Sequence, residues 1–437
     1  MRKISLLTAL LFLLLSLGVG PIGILSGSYG VKVLAQETEL PNPGLTPDSP
    51  FYFLERISEG IGTFFTFGDL NKAERYAKLA SERVAEAQAV VEKGKPEAAG
   101  KALTRYEDQL SKALAKAETA KAKGQNIERI TEIVATATSK HLTVLEGVLE
   151  KVPEAAKEAI TRALEKSKNG HITALKALAG ENPGKAVEIN LDSAKGRLEK
   201  AKQEAVKKNK AKVEKALEDY EDLQTTLEEV RGKGKTLATL VSEERTKDIK
   251  ELDEIEDEAE DISTETEDKV KEAKSRAIEK QKSSLRDVAD EDPAKVTEIN
   301  LKAAEARLNR AKAKADAGEI DKAEEAVKEF EAQYKFGEEI SQIAQGLGKD
   351  ITTVEQLVGK ATSIHLEILA EVYEKVPEQA KPAIEEAMNI SIEGHEKAVE
   401  SLQGKGALDQ VPEEPPVPEE LPEEVKERIR KDRKSVV

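Results

Sequence analysis

A long duplicated segment constrains this sequence more than any other feature. Residues 139–173 recur 224 positions later as residues 363–397, and 18 of the 35 aligned residues are identical without a gap. Each copy has apolar residues at helical spacing on both sides of a Val-Pro step, at Pro153 and at Pro377. Proline is tolerated in the first turn of a helix and disfavours helix in the residue before it. Each copy is therefore predicted to form two amphipathic helices joined by a tight turn.

The duplicated hairpins belong to a longer internal repeat. Residues 188–191, Glu-Ile-Asn-Leu, recur as residues 298–301. The pair Arg197-Leu198 recurs as Arg307-Leu308, and Arg83-Val84 is the earliest version of it. Each repeat contains four helical patterns. The sequence therefore predicts an all-α protein, an elongated array of three tandem four-helix repeats of about 110 residues with long antiparallel helices.

Changes in composition and Asn-Pro or Asp-Pro steps mark the domain boundaries. The assignment is a signal peptide at residues 1–35, a Pro- and aromatic-rich N-terminal cap at 36–68, helical repeats 1, 2 and 3 at 69–181, 182–291 and 292–403, and an acidic, Pro-rich tail at 404–437, predicted to be disordered, with a short basic end.

The composition limits the classes of partner. Hydrophobic residues make up 39% of the chain, but aromatic residues only 3%, and there is no Trp or Cys. Cores built mainly from small aliphatic residues are typical of helix bundles. The formal net charge is −16, and it becomes −19 without Arg2, Lys3 and Lys32. We therefore predict no nucleic-acid partner, because phosphate binding needs a basic patch.

The N-terminus has the three parts of a secretory signal. Arg2 and Lys3 precede an apolar run over residues 4–19, and residues 33–35 form a small-residue cleavage site. We therefore predict an exported protein, secreted or at the cell surface, that is cleaved after Ala35. The alternative is an uncleaved N-terminal anchor, because the apolar character extends to Leu25, near the roughly 20 residues that a membrane span needs.

The predicted N-terminal cap contains five of the eight phenylalanines of the chain. One interpretation is that they seal the open end of the first bundle. The other is that the segment from Phe51 to Phe67 docks on a membrane surface or on a protein partner. We favour the sealing interpretation. The five are Phe51, Phe53, Phe64, Phe65 and Phe67.

The same segment carries a recognisable motif. Residues 43–56 read PGLTPDSPFYFLER, and they are followed by Phe-Phe-Thr-Phe at 64–67 and Ala-Ser-Glu-Arg-Val-Ala-Glu-Ala at 80–87. This pattern resembles a family of exported prokaryotic helical domains of unknown function, the domain-of-unknown-function family 5667. The resemblance covers residues 40 to 125 directly. It implies export and helical structure, and it carries no activity or catalytic residue.

All four histidines lie on the apolar stripes of the duplicated hairpins. One interpretation is a buried, hydrogen-bonded polar position that sets helix register. We favour it because one histidine at each level of a hairpin supplies too few metal ligands. The glycine before the second histidine of each hairpin indicates a close helix approach or a kink, or is simply inherited through the duplication. The histidines are His141, His171, His365 and His395; Asp248 and Gln281 hold the matching positions of repeat 2, and the glycines are Gly170 and Gly394.

No catalytic motif stands out, since the chain lacks a thiol nucleophile, a Gly-rich phosphate loop and a Ser-His-Asp pattern. We therefore predict an exported scaffold or binding module of the cell envelope, with no catalytic activity and no cofactor, that binds a protein or another envelope component. The alternative is an envelope metal-binding or metal-sensing protein that uses the four histidines. Exposed heptads could pair as coiled coils, although four helices per repeat can also satisfy one another.

Overall fold

The computed structural model describes residues 40–432, except for residues 233, 409, 410 and 420 and the side chains of residues 428–432. Leu40–Val437 form one compact unit. The predicted signal peptide and its cleavage site lie outside the described residues, as does the last part of the basic end.

Within these described residues the chain is helical and contains no strand. A short first helix, α1 (Tyr52–Phe64), precedes twelve long helices, and a short helix, α14 (Glu423–Asp432), follows them. None of the described helices combines the length and the hydropathy of a membrane span. The long helices are α2 (Asp69–Glu92), α3 (Pro96–Ala122), α4 (Glu128–Leu149) and α5 (Glu154–Ala179) in repeat 1, α6 (Pro183–Val206), α7 (Lys210–Arg231), α8 (Lys235–Ala259) and α9 (Thr264–Arg286) in repeat 2, and α10 (Pro293–Asp316), α11 (Ile320–Gly346), α12 (Thr352–Lys375) and α13 (Lys381–Lys405) in repeat 3.

The long helices pair as six hairpins, from α2 with α3 to α12 with α13, and the hairpins stack in chain order. The first helix of each hairpin contacts the first helix of the next one, and the second helices form a parallel series. The helices α9 and α11 are joined by an ion pair of 2.8 Å between Lys274 and Glu329. Packing is more extensive within a four-helix repeat than between repeats. The predicted all-α array of three tandem four-helix repeats is therefore confirmed.

Local sequence signals set the helix ends. Pro183 and Pro293 occupy the first turns of α6 and α10, and the side chains of Asn182 and Asp292 accept hydrogen bonds from backbone N–H groups three residues on. The turn after α2 contains Gly94 at φ 73°, a left-handed conformation that glycine adopts without strain.

The Val-Pro steps form the predicted turns. In the first copy α4 ends at Leu149, and α5 begins directly after Pro153, whose φ is −69°. In the second copy α12 ends at Lys375, while α13 begins only at Lys381 because Pro382 occupies its first turn. Both hairpins are confirmed, and the second has the longer connection.

The glycines inside the helices mark close helix contacts. A methyl group on Gly170 would lie 2.9 Å from Cδ2 of Leu110 on α3. A methyl group on Gly394 would overlap the hydroxyl group of Tyr334 on α11. The close approach predicted at both positions is confirmed, because a neighbouring side chain fills the space that each glycine leaves.

The C-terminal tail, which its composition predicts to be disordered, packs on repeat 3 in its described part. Val411, Leu421 and Val425 are buried, and Val417 packs against the same core. The structure differs from the prediction because the apolar residues of the tail find partners on the helices of repeat 3. These widely spaced apolar residues cover the end of a core that would otherwise face water.

Candidate functional site

The histidine position of α4 lies in the core between the helices of repeat 1. His141 Nε2 is 3.0 Å from Oγ of Ser81 on α2. The ring packs edge-on against Tyr106 of α3, with the ring centroids 5.2 Å apart. Burial lowers the pKa of His141 to about 3, because the charged imidazolium is poorly solvated there. His141 is therefore neutral at physiological pH.

The histidines of the second hairpin helices make backbone contacts instead. His171 Nδ1 lies 2.9 Å from the carbonyl oxygen of Ala135, and burial lowers the pKa of His171 to about 4. In repeat 3, His395 Nδ1 lies 3.2 Å from the carbonyl oxygen of Gly359, and Nε2 lies 2.9 Å from the carbonyl oxygen of Pro412 in the tail. His395 thus connects the tail to the last hairpin.

The equivalent of His141 in repeat 3 has mainly aromatic neighbours. His365 packs against Phe330 and Tyr334 of α11, with ring centroids 5.1 and 6.1 Å away. Burial lowers the pKa of His365 to about 4. An aromatic side chain on the second helix of the repeat therefore contacts a polar one on the third helix, as in repeat 1.

Repeat 2 builds the same position from a carboxylate. Asp248 accepts hydrogen bonds from the hydroxyl of Tyr220 at 3.0 Å and from Nε2 of Gln224 at 3.1 Å. Burial raises the pKa of Asp248 to about 7. Gln281 donates to the carbonyl oxygen of Ser242 at 3.2 Å. The polar stripe position is thus buried and hydrogen-bonded in repeat 2 as well, as the favoured interpretation predicts.

The structure does not bring the four candidate metal ligands together. Each histidine has its own set of neighbours, and the two ligands that a single hairpin supplies contact different helices. In the part of the chain that the structure describes, no group of three or more His, Asp or Glu side chains could hold a metal ion. The described residues therefore give the metal-binding alternative no support.

Each repeat also contains a buried arginine that forms an ion pair. The arginine of the repeated Arg-Val or Arg-Leu pair is buried on the first helix of each repeat. In each repeat it forms an ion pair with a carboxylate from the preceding part of the chain. The pairs are Glu59 with Arg83, Glu146 with Arg197, and Asp253 with Arg307. Since Glu59 lies on α1, this short helix packs where a preceding repeat would otherwise supply the carboxylate.

The inner face of α1 is polar. The hydroxyl of Tyr52 donates to Glu86 at 2.6 Å and accepts from Arg83 at 2.6 Å, while Arg83 also pairs with Glu86 at 2.7 Å and with Glu59. Burial raises the pKa of Glu86 to about 7 and that of Tyr52 to about 12. The guanidinium of Arg105 lies over the Tyr52 ring, 4.7 Å from its centroid. Buried charges therefore fix the orientation of α1 on repeat 1.

The outer face of α1 is apolar and exposed. Together with adjoining residues it forms a surface that we call the aromatic face. Its side chains are between 51% and 76% exposed. The phenylalanines that are expected to seal the bundle point away from it, because the side of α1 that faces repeat 1 carries Tyr52 and Glu59. The aromatic face consists of Phe51, Phe53, Leu54, Ile57, Ile61, Phe64, Phe65 and Phe67.

Sequence reasoning found the phenylalanines but missed the side on which they lie. The available signal is Arg83, a charged residue in a stripe otherwise made of Ala73, Ala77, Ala80 and Val84. A buried arginine needs a carboxylate partner. The Glu residues of α1 lie on the side of the helix opposite to its Phe and Ile residues, so the pairing would have predicted which side faces the bundle.

Comparisons with known proteins agree with this architecture. Residues 44–155 match the model of a family described as Domain of unknown function (DUF5667). The match covers α1 and most of repeat 1, and it bears out the predicted resemblance to this family. A solved "circular tandem repeat protein with novel repeat topology and enhanced subunit contact surfaces" is similar with a TM-score of 0.57 and 14% identity, over 82% of this chain and 77% of that chain. At this identity the likeness concerns the fold alone. No curated protein matches the chain.

Proposed function

We propose that this protein is a non-catalytic helical scaffold of the cell envelope that attaches to a membrane surface through the aromatic face. One observation carries the proposal. The helix α1 turns its polar side towards repeat 1 and its apolar side towards the outside. Surface helices of soluble domains have the opposite arrangement, with the apolar side on the core.

The orientation of α1 is built into the buried ion pairs. Turning α1 over would bury the phenylalanines but would take Tyr52 away from Glu86, and both Tyr52 and Glu59 away from Arg83. Removing one partner from a buried ion pair costs roughly 3–5 kcal/mol. The exposed aromatic face is therefore the stable arrangement of the isolated protein. Contiguous exposed apolar surfaces mark sites of protein or membrane interaction.

Two features favour a membrane as the occupant. The apolar run at residues 4–19, which carries the predicted signal or anchor, directs the N-terminal part of the chain to a membrane, and the aromatic face begins at Phe51, towards the same end of the chain. Arg56 is the one exposed charged side chain of α1, although 35% of the residues of the chain are charged. Phenylalanine, leucine and isoleucine gain free energy when they leave water for the acyl boundary of a bilayer.

Vesicle flotation tests this proposal with a protein of residues 40–437, which lacks the apolar N-terminal run. We expect the protein to float with phospholipid vesicles. We expect the triple variant Phe53→Ser, Phe64→Ser, Phe65→Ser to bind at least about tenfold more weakly, because each buried phenylalanine contributes roughly 1.5–3 kcal/mol. The inner contacts of α1 do not involve these side chains, so the variant should fold.

The matched control replaces exposed apolar residues elsewhere. Val206 is 60% exposed and Leu347 is 56% exposed. The double variant Val206→Ser, Leu347→Ser should float like the parent protein. Equal flotation of the triple variant and the control would contradict membrane docking. So would a parent protein that stays unbound and forms dimers that the triple variant abolishes, because the aromatic face would then bind a second copy.

A further inference from the structure

A cavity of about 390 Å³ lies where repeat 1 meets repeat 2. It is bounded by the hairpin of α4 and α5 on one side and by that of α6 and α7 on the other. Leu142, Leu149 and Leu164 form its apolar part. Its size falls within the roughly 300–1,000 Å³ of ligand pockets, and such pockets are mostly apolar with a few polar groups.

The junction between repeats 2 and 3 can be compared with the first junction residue by residue. In this comparison α8 is the counterpart of α4. Leu149 follows the carboxylate partner of Arg197 by three residues. Glu256 follows the carboxylate partner of Arg307 by three residues. The two arginines are equivalent in the repeat, so Leu149 and Glu256 hold equivalent positions on α4 and α8.

The same comparison applies to the second helices. Leu164 precedes His171 by seven residues, and Lys274 precedes Gln281, the counterpart of His171, by seven residues. At the second junction Lys274 is buried, and its Nζ lies 2.6 Å from Glu256. A charged pair therefore occupies the second junction where two leucines border the cavity of the first.

The cavity at the second junction is smaller than the cavity at the first. Beside Arg307 and Glu329 at the second junction, the structure has a cavity of about 60 Å³. Lys274 also reaches Glu329 there, at 2.8 Å. The first junction is open because its leucines cannot form this network. The larger cavity at the first junction is therefore not a general consequence of stacking two repeats.

We propose that the cavity between repeats 1 and 2 binds a single-chain anionic amphiphile of the long-chain fatty acid class. The leucines and the methylene stems of the surrounding lysines line the path of the apolar chain. The site goes beyond the proposed membrane attachment and is independent of it.

The charged side chains that border the cavity favour an anionic head group on the ligand. Five cationic and four anionic side chains border the cavity, a local cationic excess in a chain of net charge −16. Lys200 and Lys212 both lie near Glu150, at 3.5 and 2.7 Å, and near the buried Glu204, at 3.5 and 3.6 Å. An ammonium group has three N–H donors, so each lysine can bind Glu150, Glu204 and a ligand carboxylate together. The carboxylate head of the ligand lies at these two lysines.

Binding of palmitate to the protein of residues 40–437, measured by calorimetry, tests the site. We expect one saturable site per chain. The double variant Leu149→Glu, Leu164→Lys introduces the charged pair of the second junction and should weaken binding by at least about tenfold, or about 1.4 kcal/mol. Leu164→Trp fills the same space with carbon and should have the same effect. Thermal melting of each variant verifies that it is folded.

A second pair of measurements tests the head group. Lys200→Gln, Lys212→Gln should weaken the binding of palmitate, whereas the binding of the matching fatty alcohol should change little. The triple variant of the aromatic face should bind palmitate as the parent does. The assignment is overturned if the parent protein shows no saturable binding, if binding survives in both filled variants, if the lysine variant binds palmitate normally, or if the aromatic-face variant loses binding.

Discussion

The equivalent positions of His141, Asp248 and His365 show how burial changes the pKa of basic and acidic side chains in opposite directions. Burial disfavours the charged form of any group. It therefore lowers the pKa of His141 to about 3 and that of His365 to about 4, but raises the pKa of Asp248 to about 7. Repeats 1 and 3 should lose stability as the pH falls, and repeat 2 should lose stability as the pH rises.

The first prediction concerns His141→Gln. Because the folded pKa of His141, about 3, lies below the ordinary 6.5, the unfolded chain binds more protons between these values. The histidine contribution is complete above pH 6.5 and falls by up to about 2 kcal/mol on the way to about pH 5. Glutamine does not titrate and can still bond Ser81, so the unfolding free energy of repeat 1 should depend less on pH.

Urea titrations at neutral and acidic pH measure this effect. The control is Thr143→Gln, which changes an exposed residue of the same helix. A His141→Gln variant with the same pH slope as the control would show that His141 is not the neutral group described above.

The second prediction concerns Asp248→Asn and has the opposite sign. The folded pKa of Asp248, about 7, lies above the ordinary 3.8, so its contribution is complete below pH 3.8 and is lost as the pH rises through about 7. Asparagine keeps an acceptor for Tyr220 and Gln224 without ionising. The variant should be more stable than the parent at about pH 8, by up to about 4 kcal/mol, and nearly equal to it at about pH 4.

Thermal melts across this pH range provide the measurement. Asp268→Asn, at an exposed carboxylate of repeat 2, is the control and should change the melting temperature little at any pH. If Asp248→Asn destabilises the protein at alkaline pH, the buried carboxylate is stabilised by its neighbours more than its burial indicates.

At the scale of single elements, the two ends of the array are covered in different ways. The helix α1 packs on repeat 1 through buried polar and charged side chains, so its apolar side remains exposed. The tail packs on repeat 3 through Val411, Leu421 and Val425, while Glu413 and Glu414 are exposed. The terminal hairpins are thus covered by a helix with an exposed apolar face at one end and by a tail with buried apolar residues at the other.

The third prediction tests the attachment of α1. Arg83→Leu leaves Glu86 buried without its cation, so the unfolding free energy should fall by roughly 3–5 kcal/mol. Hydrogen exchange should accelerate in residues 52–64. Arg56→Leu removes an exposed arginine of α1 and is the matched control. Unchanged exchange of α1 in Arg83→Leu would contradict the polar attachment.

The fourth prediction tests the attachment of the tail. The side chain of Val411 occupies the space above Gly359, where even a methyl group would overlap it. Gly359→Leu should therefore displace the tail and speed proteolytic cleavage between residues 405 and 423. Gly404→Leu is the control, because no atom lies within 4 Å of a methyl group at Gly404. Equal cleavage of both variants would argue against a docked tail.

At the scale of the whole molecule, the long helices interact mainly with helices of their own hairpin and of the next hairpin. Ion pairs follow the same rule, since side chains that join neighbouring hairpins lie 50 to 65 residues apart in the sequence, from Lys200 with Glu150 to Lys322 with Asp257. Stability in such an array is a sum of unit and neighbour contributions.

The fifth prediction follows from this organisation. Leu369 is fully buried in the core of repeat 3, and Leu369→Ala should reduce the stability of that repeat by roughly 2–5 kcal/mol. Hydrogen exchange should accelerate in residues 293–405 and remain unchanged in residues 69–122. Leu145→Ala, in the core of repeat 1, should show the reverse pattern. Accelerated exchange throughout the chain would indicate one cooperative unit.

The helices, their ends and the threefold repeat were predictable because they depend on neighbours close in sequence. Pro153 starts a helix in any context that permits one, and the spacing of alanine and leucine marks a buried stripe whatever lies against it. The buried polar positions were also predictable, since His141 and Asp248 stand on such stripes. Their hydrogen-bond partners were not, because Ser81 and Tyr220 belong to other helices.

The sequence by itself determined an all-α tandem array with its turns, its charge and its candidate polar positions. Only the tertiary structure decided that α1 exposes its phenylalanines, that the tail covers repeat 3, and that two leucines leave a cavity where Glu256 and Lys274 close the next junction. The physical reason is that these features depend on which buried charges find partners. In this chain most of those partners lie tens of residues away.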